Sequence, residues 1–299
     1  MLQGLSVFAG VLIAVMVTIN GGLSDTYGVY SATVIIHIAG ILFVSVLLAV
    51  RRKSLKSREK LPLHYYLGGA VGVGTVVFNN MAFGRISVTA ILALSLLGSV
   101  LCSLVVDQYG WFGMTRHPVS IKKLPGIALS ALGIAWMLWP FDMRVVVPVI
   151  VSLLTGVTIV VSRSLNARMT CKTGMLQSTF FNYAVGLIVS AVILLIFGQR
   201  EPIMAGFEFS PRVWIYTGGM LGACIVTLFN AVSVKLSSFY VSLLSFVGQI
   251  FAGVALDALL TGAFSLPNLI GGMLVTAGLA QNLWVDRKVN APSCPSEGA

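Results

Sequence analysis

The chain has 299 residues, of which 57% are hydrophobic and only 9% charged, and its formal net charge is +10 at pH 7. Soluble domains carry about 25% charged residues. This composition therefore cannot provide a water-exposed surface, and a lipid bilayer is the solvent that fits it. Soluble enzymes and soluble nucleic-acid-binding modules are excluded on this ground.

Ten apolar segments follow one another along the chain, each close to the roughly 20 residues that span about 30 Å of hydrocarbon. Only short loops separate them, and a polar tail at 289–299 follows the last one. We predict an all-α integral membrane protein with ten transmembrane helices and a disordered cytoplasmic tail. The predicted helices cover residues 4–23, 29–50, 64–83, 87–107, 124–140, 145–163, 175–197, 213–232, 238–260 and 268–285.

The basic residues are distributed unevenly between the two sides of the predicted bundle. With a cytoplasmic N-terminus, fifteen of the nineteen Lys and Arg residues lie on the cytoplasmic side, and Arg85, Arg144, Arg200 and Arg212 lie outside. Because basic residues resist translocation, this bias orients short-looped membrane proteins. It predicts that both termini are cytoplasmic. It also explains the positive charge by topology and by contact with anionic lipid, without a nucleic-acid partner.

The two halves of the sequence match each other without gaps over long stretches. At an offset of 146 residues, Gly10, Asn20, Gly28, Thr33 and Gly40 coincide with Gly156, Asn166, Gly174, Thr179 and Gly186. At an offset of 150, ten of the 41 positions from 67 to 107 are identical, and these include Asn80, Ser95 and Asp107, which coincide with Asn230, Ser245 and Asp257. An apolar composition would rarely align Asn, Ser and Asp by chance, so we interpret the matches as an internal duplication.

Each half contains five predicted helices, an odd number, so the second half must enter the membrane in the opposite orientation. We predict two inverted repeats, 1–141 and 142–288, related by a pseudo-twofold axis in the membrane plane. Two such halves can exchange conformations, which predicts transport by alternating access. Gly68xxxGly72, repeated as Gly218xxxGly222, is predicted to allow close helix packing, either between the halves or in a homodimer, so a monomer and a homodimer both stay open.

The paired LeuSerxxGly segments, 94–98 and 244–248, and the Asp that follows each of them resemble the bacterial drug/metabolite transporter superfamily. Within it, the chain is most similar to the YdcZ-type inner-membrane branch, whose members occur as five-helix proteins or ten-helix fusions. The resemblance covers nearly the whole chain up to about residue 286. It implies a ten-helix transporter of the bacterial inner membrane. The second half has Gly248 followed by Gln249, as is common in that branch, whereas the first half has Gly98 followed by Ser99, which argues against a strictly symmetric site.

Polar side chains inside the predicted helices concentrate on helices 1, 3, 4, 6, 8 and 9. Such groups cost free energy in lipid unless they face another helix or a water-filled cavity. We therefore predict that these helices line a cavity between the halves, a lining that the resemblance also implies. The alternative is that each amide or hydroxyl only bonds a neighbouring helix. The predicted substrate-binding residues are Asn20, Asn80, Ser95, Ser99, Asn166, Asn230, Ser245 and Gln249.

Two aspartates, Asp107 and Asp257, occupy equivalent positions near the C-termini of helices 4 and 9, where the helix dipole disfavours an anion. Arg85 and Lys235 are also equivalent to each other, and pairing within one half is excluded by about 30 Å of hydrocarbon. We hypothesise two alternating gates between the halves, Arg85 with Asp257 outside and Lys235 with Asp107 inside. The alternative is that the aspartates are solvated at the interface or bonded to nearby backbone.

His37 is the clearly titratable residue that lies farthest from the predicted membrane interfaces. An ionisable residue inside the bilayer is a functional candidate, and a histidine can carry a coupling proton. Its repeat equivalent is Tyr183, and helix 2 is not one of the polar helices. These two observations favour a neutral, hydrogen-bonded packing role instead.

The sequence contains no catalytic motif and no cysteine or histidine spacing that suggests a metal site, so we predict no enzyme activity, no cofactor and no metal. The predicted function is secondary transport, as an exporter of a small organic metabolite or drug-like solute that is neutral or zwitterionic. Proton exchange is our hypothesis for the coupling. Two alternatives stay open: a passive pore or lipid-handling membrane protein, and an assembly or sensor subunit without transport activity.

Overall fold

A computed structural model of the chain describes residues 2–53, 55, 62–111, 121–140, 142–233 and 238–285. In these residues the chain forms ten α-helices joined by turns and short 3-10 helices, and no strand. The prediction of an all-helical protein with ten helices is confirmed. The helices are α1 (Leu2–Tyr27), α2 (Val29–Val50), α3 (Leu67–Ala82), α4 (Val88–Tyr109), α5 (Leu124–Met137), α6 (Val146–Thr173), α7 (Met175–Phe197), α8 (Gly218–Ser233), α9 (Ser238–Thr261) and α10 (Leu266–Val285).

The largest difference from the predicted boundaries is the end of α6. The predicted helix ended at residue 163, where a charged side chain interrupts the apolar run, but the observed helix continues to Thr173. Residues 164–173 contain neither Gly nor Pro, so nothing in the backbone stops the helix before Gly174. The apolar run and the helix therefore end at different places, because lipid contact limits the first and backbone geometry limits the second.

The turns before α2 and α7 each consist of a single glycine. Gly28 and Gly174 both have φ of 96°. Residues with a Cβ rarely adopt this left-handed region, whereas glycine enters it without steric cost. The chain can therefore leave α1 or α6 and enter the next helix at once. The two glycines are 146 residues apart, the offset at which the halves match.

Six helical stretches are long and apolar enough to cross a bilayer by length and composition. They are Gly4–Tyr27, Val29–Val50, Val88–Val106, Met143–Thr173, Met175–Phe197 and Leu244–Thr261, and a shorter apolar stretch covers Val213–Val226. Large apolar side chains stand on the outer surface of the bundle, for example Leu42 on α2, Leu195 on α7 and Leu259 on α9, which is 80% exposed. Such a surface suits hydrocarbon and not water.

Helices of the first half pack on helices of the second half through glycines. A Cβ on Gly10 of α1 would overlap the carbonyl oxygen of Ser245 in α9, and a Cβ on Gly156 of α6 would overlap the carbonyl oxygen of Ser95 in α4. Gly156 follows Gly10 by 146 residues, and Ser245 follows Ser95 by 150, so the two contacts join equivalent residues. Two glycine pairs bring α5 and α10 into similarly close contact. Close backbone approach is thus the general mode of packing between the halves.

The main apolar core lies where α4, α5, α9 and α10 meet. It includes Leu94, Ile134, Phe246, Ile250 and Val275, none of them more than 5% exposed. Since α4 and α5 belong to the first half and α9 and α10 to the second, the same residues bury surface from both halves. This core therefore holds the halves together.

Candidate functional site

The carboxylate of Asp257, near the end of α9, lies over the first turn of α4. Its Oδ1 accepts a hydrogen bond from the backbone N–H of Val88 (2.6 Å), and its Oδ2 accepts one from the backbone N–H of Thr89 (3.0 Å) and one from the Thr89 hydroxyl (2.6 Å). The side-chain amide of Asn268 in α10 donates a fourth bond (3.2 Å). Only 4% of Asp257 is exposed. One buried carboxylate thus joins α9 and α10 to α4.

The first turn of α4 provides the compensation that this anion needs. Ser87 occupies the N-cap position, and its side chain accepts a bond from the N–H of Ala90 (3.1 Å), which leaves the two N–H groups before it for Asp257. Helix N-termini stabilise anions because their N–H groups are unpaired and the dipole is positive there. Asp257 lies near the C-terminal end of α9, where the helix dipole disfavours an anion. The compensation comes from the N-terminus of α4 and not from a basic side chain.

The outside gate, Arg85 with Asp257, is not formed among the described residues. Arg85 lies in the turn between α3 and α4 with an exposed side chain, and the bonds of Asp257 within the described residues do not include it. Asp257 instead accepts hydrogen bonds from backbone N–H groups, as in the alternative given for the aspartates. Asp107 lies in α4, but its side chain is outside the described part of the structure, as is all of Lys235. Both gates therefore stay predictions.

A second acidic residue, Glu201, caps α2 in the same manner, and the sequence analysis did not select it. Its Oε1 accepts a bond from the N–H of Tyr30 (2.8 Å), and its Oε2 accepts bonds from the N–H (2.7 Å) and hydroxyl (2.5 Å) of Ser31. Glu201 lies between α7 and α8, so an acid of the second half again caps a helix of the first. Gly28 at the N-cap has no side chain that could accept bonds from the first turn of α2. The missing cap was the feature of the sequence that indicated an acceptor elsewhere in the chain.

The segment between α7 and α8 is fixed against the end of α1 by tyrosine hydroxyls. Tyr27 and Tyr216 share a hydrogen bond, and the backbone N–H of Ser210 donates to both hydroxyls (3.0 and 2.9 Å). Tyr27 also donates to the carbonyl of Glu208 (2.7 Å). This end of the bundle, where Asp257 and Glu201 also lie, is therefore bonded between the halves at several points.

About two turns from the α6–α7 connection, an amide pair lies against α3. Asn166 Nδ2 donates to Asn182 Oδ1 (2.7 Å) and to Ser162 Oγ (3.3 Å). Ser162 in turn donates to the carbonyl of Gly68 (2.7 Å), and a Cβ on Gly68 would overlap the Asn166 side chain. The predicted cavity residue Asn166 is thus held between the halves together with Asn182, which the sequence analysis missed. The predicted close packing at Gly68 is confirmed, and it joins the two halves.

The equivalent interface between α8 and α1 lacks this pair. Asn20 keeps its place beside Gly218, but the counterparts of Asn182 and Ser162 are Ile36 and Met16. The buried Oδ1 of Asn20 accordingly has no hydrogen-bond partner in the described part of the chain. Comparing the two halves for lost polar residues, and not only for shared ones, would have identified Asn182.

The predicted hydroxyl residues of α4 bond backbone. Ser95 donates to a carbonyl one turn earlier in its own helix (2.8 Å). Ser99 donates to the carbonyl of Ser95 (2.8 Å) and to that of Gly156 in α6 (3.1 Å). The second bond of Ser99 supports the α4–α6 contact and agrees with the alternative of a bond to a neighbouring helix, whereas the bond of Ser95 stays within α4.

The remaining predicted cavity residues lie on α3, α8 and α9. Asn80 is buried, and its Nδ2 has no partner within the described residues. Ser245 is buried beside α1, and Gln249, one turn later, is partly exposed. Asn230 lies in α8, but its side chain is outside the described part of the structure.

His37 is 4% exposed and packs between the halves. Its Nδ1 lies 2.7 Å from the carbonyl oxygen of Thr33, so this nitrogen must carry the proton. The ring meets that of Tyr183 edge-on, with centroids 5.8 Å apart, and it fills the space next to Gly186. Tyr183 donates to the carbonyl of Gly219 (3.0 Å). These contacts are those of the hydrogen-bonded packing role.

Fold and site together define a multi-pass helical membrane protein whose two halves meet through capped helix ends and a polar contact. Residues 1–136 and 147–281 each match the family described as "Putative inner membrane exporter, YdcZ", of the DMT type. The chain belongs to this family, and it is a multi-pass inner-membrane transporter. The family resemblance stated from the sequence is confirmed.

A solved structure titled "Crystal structure of protein" has a similar fold, with a TM-score of 0.63 over 96% of this chain and 99% of that one. Its sequence is 14% identical, so the likeness concerns the fold alone. No curated protein matches the sequence. Neither comparison supplies a substrate.

Proposed function

We propose that this protein is a secondary active transporter that exports a small organic solute by alternating access, with proton exchange as the driving reaction. The solute is neutral or zwitterionic, because the sequence places no pair of opposite charges near the middle of the predicted helices. The family description as an exporter supports the direction. The bias of basic residues supports cytoplasmic termini.

The proposal includes two inverted repeats, 1–141 and 142–288. Matching contacts support this arrangement. Gly98 meets the backbone of Leu153, and Gly248 meets that of Val7, 146 residues earlier. The family match to two successive segments gives separate support. Five helices in each half require opposite orientations in the membrane.

The capping of α4 by Asp257 is the observation that carries the mechanism. A buried carboxylate that joins α9 and α10 to α4 closes this end of the bundle, so a solute cannot pass there. Alternating access requires this contact to break while an equivalent contact forms at the other end. Asp107 and Ser237 are the equivalents of Asp257 and Ser87, so the first turn of α9 is the counterpart that Asp107 would cap in the opposite state.

The test is solute counterflow in proteoliposomes across a panel of metabolites, with internal pH followed by a dye. We expect saturable counterflow of one solute class with proton movement, and exchange at least about ten-fold slower in Asp257→Asn, since the amide turns an N–H toward the N–H groups of α4. Asp142→Asn is the matched control, because Asp142 is exposed and Asn can keep the bond that its side chain accepts from the Arg144 N–H (2.9 Å). Unsaturable flux would identify a passive pore, and flux absent throughout would favour the lipid-handling or assembly alternatives.

A further inference from the structure

The amide pair of Asn166 and Asn182 has unused hydrogen-bonding groups. Asn166 Oδ1 and Asn182 Nδ2 make no hydrogen bond with any described residue, and both side chains are partly exposed. Each lies seven or eight residues from the α6–α7 turn, which is about 10 Å along the helix axis. Asn166 lies three residues beyond Arg163, where the apolar run of α6 ends, so the unused groups of the pair face water or a polar solute.

We propose that Asn166 and Asn182 form a substrate subsite that binds an uncharged solute through a carboxamide-like edge, in which a carbonyl acceptor and an N–H donor stand side by side. This inference rests on the proposed transport function and names the substrate class of that site. The solute N–H donates to Asn166 Oδ1, and the solute carbonyl accepts from Asn182 Nδ2. Carboxamides, ureas and lactams present such an edge.

The pair is held in place before any solute arrives. Ser162 accepts from Asn166 and donates to the carbonyl of Gly68, which ties the pair to α3. Ser178 also donates to the backbone carbonyl of Asn166 (3.2 Å). A fixed pair of amides binds with little loss of side-chain entropy. If both amides are rotated by 180°, the pair still presents one acceptor and one donor, so the recognised chemistry is the same.

The surroundings of the pair favour an uncharged solute. Its hydrogen-bond partners on α3 and α6, the Gly68 carbonyl and Ser162, are uncharged, as is Ser178 on α7. From these groups a carboxylate or ammonium would gain no opposite charge in return for the hydration that it loses. Because the equivalents of Asn182 and Ser162 are Ile36 and Met16, the other half offers no second copy of the subsite.

The experiment measures binding of three matched probes to the purified full-length protein by ligand-detected saturation-transfer NMR. Benzamide carries both the acceptor and the donor, N,N-dimethylbenzamide carries only the acceptor, and benzoate is charged. We expect benzamide to bind the wild type at least about ten-fold more tightly than either analogue, since each lost bond leaves a polar group unpaired. This comparison needs no variant, so a folding defect cannot obscure it.

Variants then assign the binding to the pair. Asn166→Ala and Asn182→Ala should abolish the preference for benzamide, whereas Ser164→Ala should keep it, because the Ser164 hydroxyl bonds only the carbonyl of Val160 in its own helix (2.8 Å). Equal binding of the three probes, no binding of benzamide, or a preference that survives both asparagine substitutions would overturn the subsite. Saturable counterflow of another solute that Asn182→Ala leaves unchanged would overturn the subsite and leave the transport function standing. Benzamide binding without flux of any solute would support the subsite and overturn the transport function.

Discussion

At the scale of single residues, two acidic side chains of the second half bond the backbone N–H groups at helix N-termini of the first half. Asp257 and Glu201 bond no basic side chain among the described residues. Each instead accepts hydrogen bonds from the first turn of a helix in the other half. A helix N-terminus offers several N–H donors in one place, and it costs no side-chain entropy. Capping therefore anchors a loop or a helix end more rigidly than a long surface ion pair would.

Removing the acid at α4 should measurably destabilise the protein. We expect Asp257→Ala to cost about 1.5–3 kcal/mol, the range for hydrogen bonds to a charged group, and to lower the thermal unfolding temperature in detergent, followed by tryptophan fluorescence. Asp142→Asn should change it little, because Asp142 is exposed and Asn can keep the bond that its side chain accepts from the Arg144 N–H. Equal melting of the two variants would show that the α4 cap does not contribute to stability.

At the scale of the helices, glycines decide which pairs approach most closely. The contacts of α1 with α9 and of α4 with α6 place backbone against backbone at Gly10 and Gly156. In a membrane, helix association depends on such close packing, because lipid removes the hydrophobic driving force between helices. The two contacts are equivalent by the repeat, so both should respond in the same way to added side-chain volume.

Adding one methyl group at either glycine should disturb the contact between the halves. We expect Gly10→Ala and Gly156→Ala each to cost about 1–3 kcal/mol, the usual penalty for overpacking, and to lower the yield of monodisperse protein on size-exclusion chromatography. Gly4→Ala, in the same helix as Gly10, is the matched control, because a Cβ there meets nothing within 4 Å. If Gly10→Ala behaves like Gly4→Ala, the close approach of α1 and α9 is not required.

At the scale of the whole molecule, the repeat and the charge bias make one statement about orientation. In the proposed arrangement, an odd number of helices in each half inverts the second half, and fifteen of nineteen basic residues then fall on the cytoplasmic side. The proposed orientation would place Asp257 and Glu201 at the periplasmic end. It would place the amide pair toward the cytoplasmic end, the side from which an exporter takes its solute.

Reporter fusions test this orientation directly. We expect a fluorescent protein fused after Ala299 to be fluorescent and alkaline phosphatase fused at the same place to be inactive, because only the first matures in the cytoplasm. Alkaline phosphatase inserted after Gly206, between α7 and α8, should be active. The opposite pattern would show that the protein has the reverse orientation in the membrane, with the amide pair toward the periplasmic side.

The sequence is sufficient for the class of protein, the number of helices and most of their boundaries. Apolar length sets these features locally, through the thickness of hydrocarbon that each helix must cross. The end of α6 is the exception, since a charge in the sequence ends lipid contact without ending the helix. The offsets of 146 and 150 also predict which residues are equivalent, as the paired contacts of Gly10 and Gly156 illustrate.

The sequence by itself thus determined a helical membrane transporter of duplicated sequence and selected Asn166 and Asp257 as notable residues. Only the tertiary structure decided their partners, Asn182 for the first and the first turn of α4 for the second. The physical reason is that backbone N–H groups are present at every helix start and carry no sequence signature. Which of them meets a buried acid depends on how the two halves pack together.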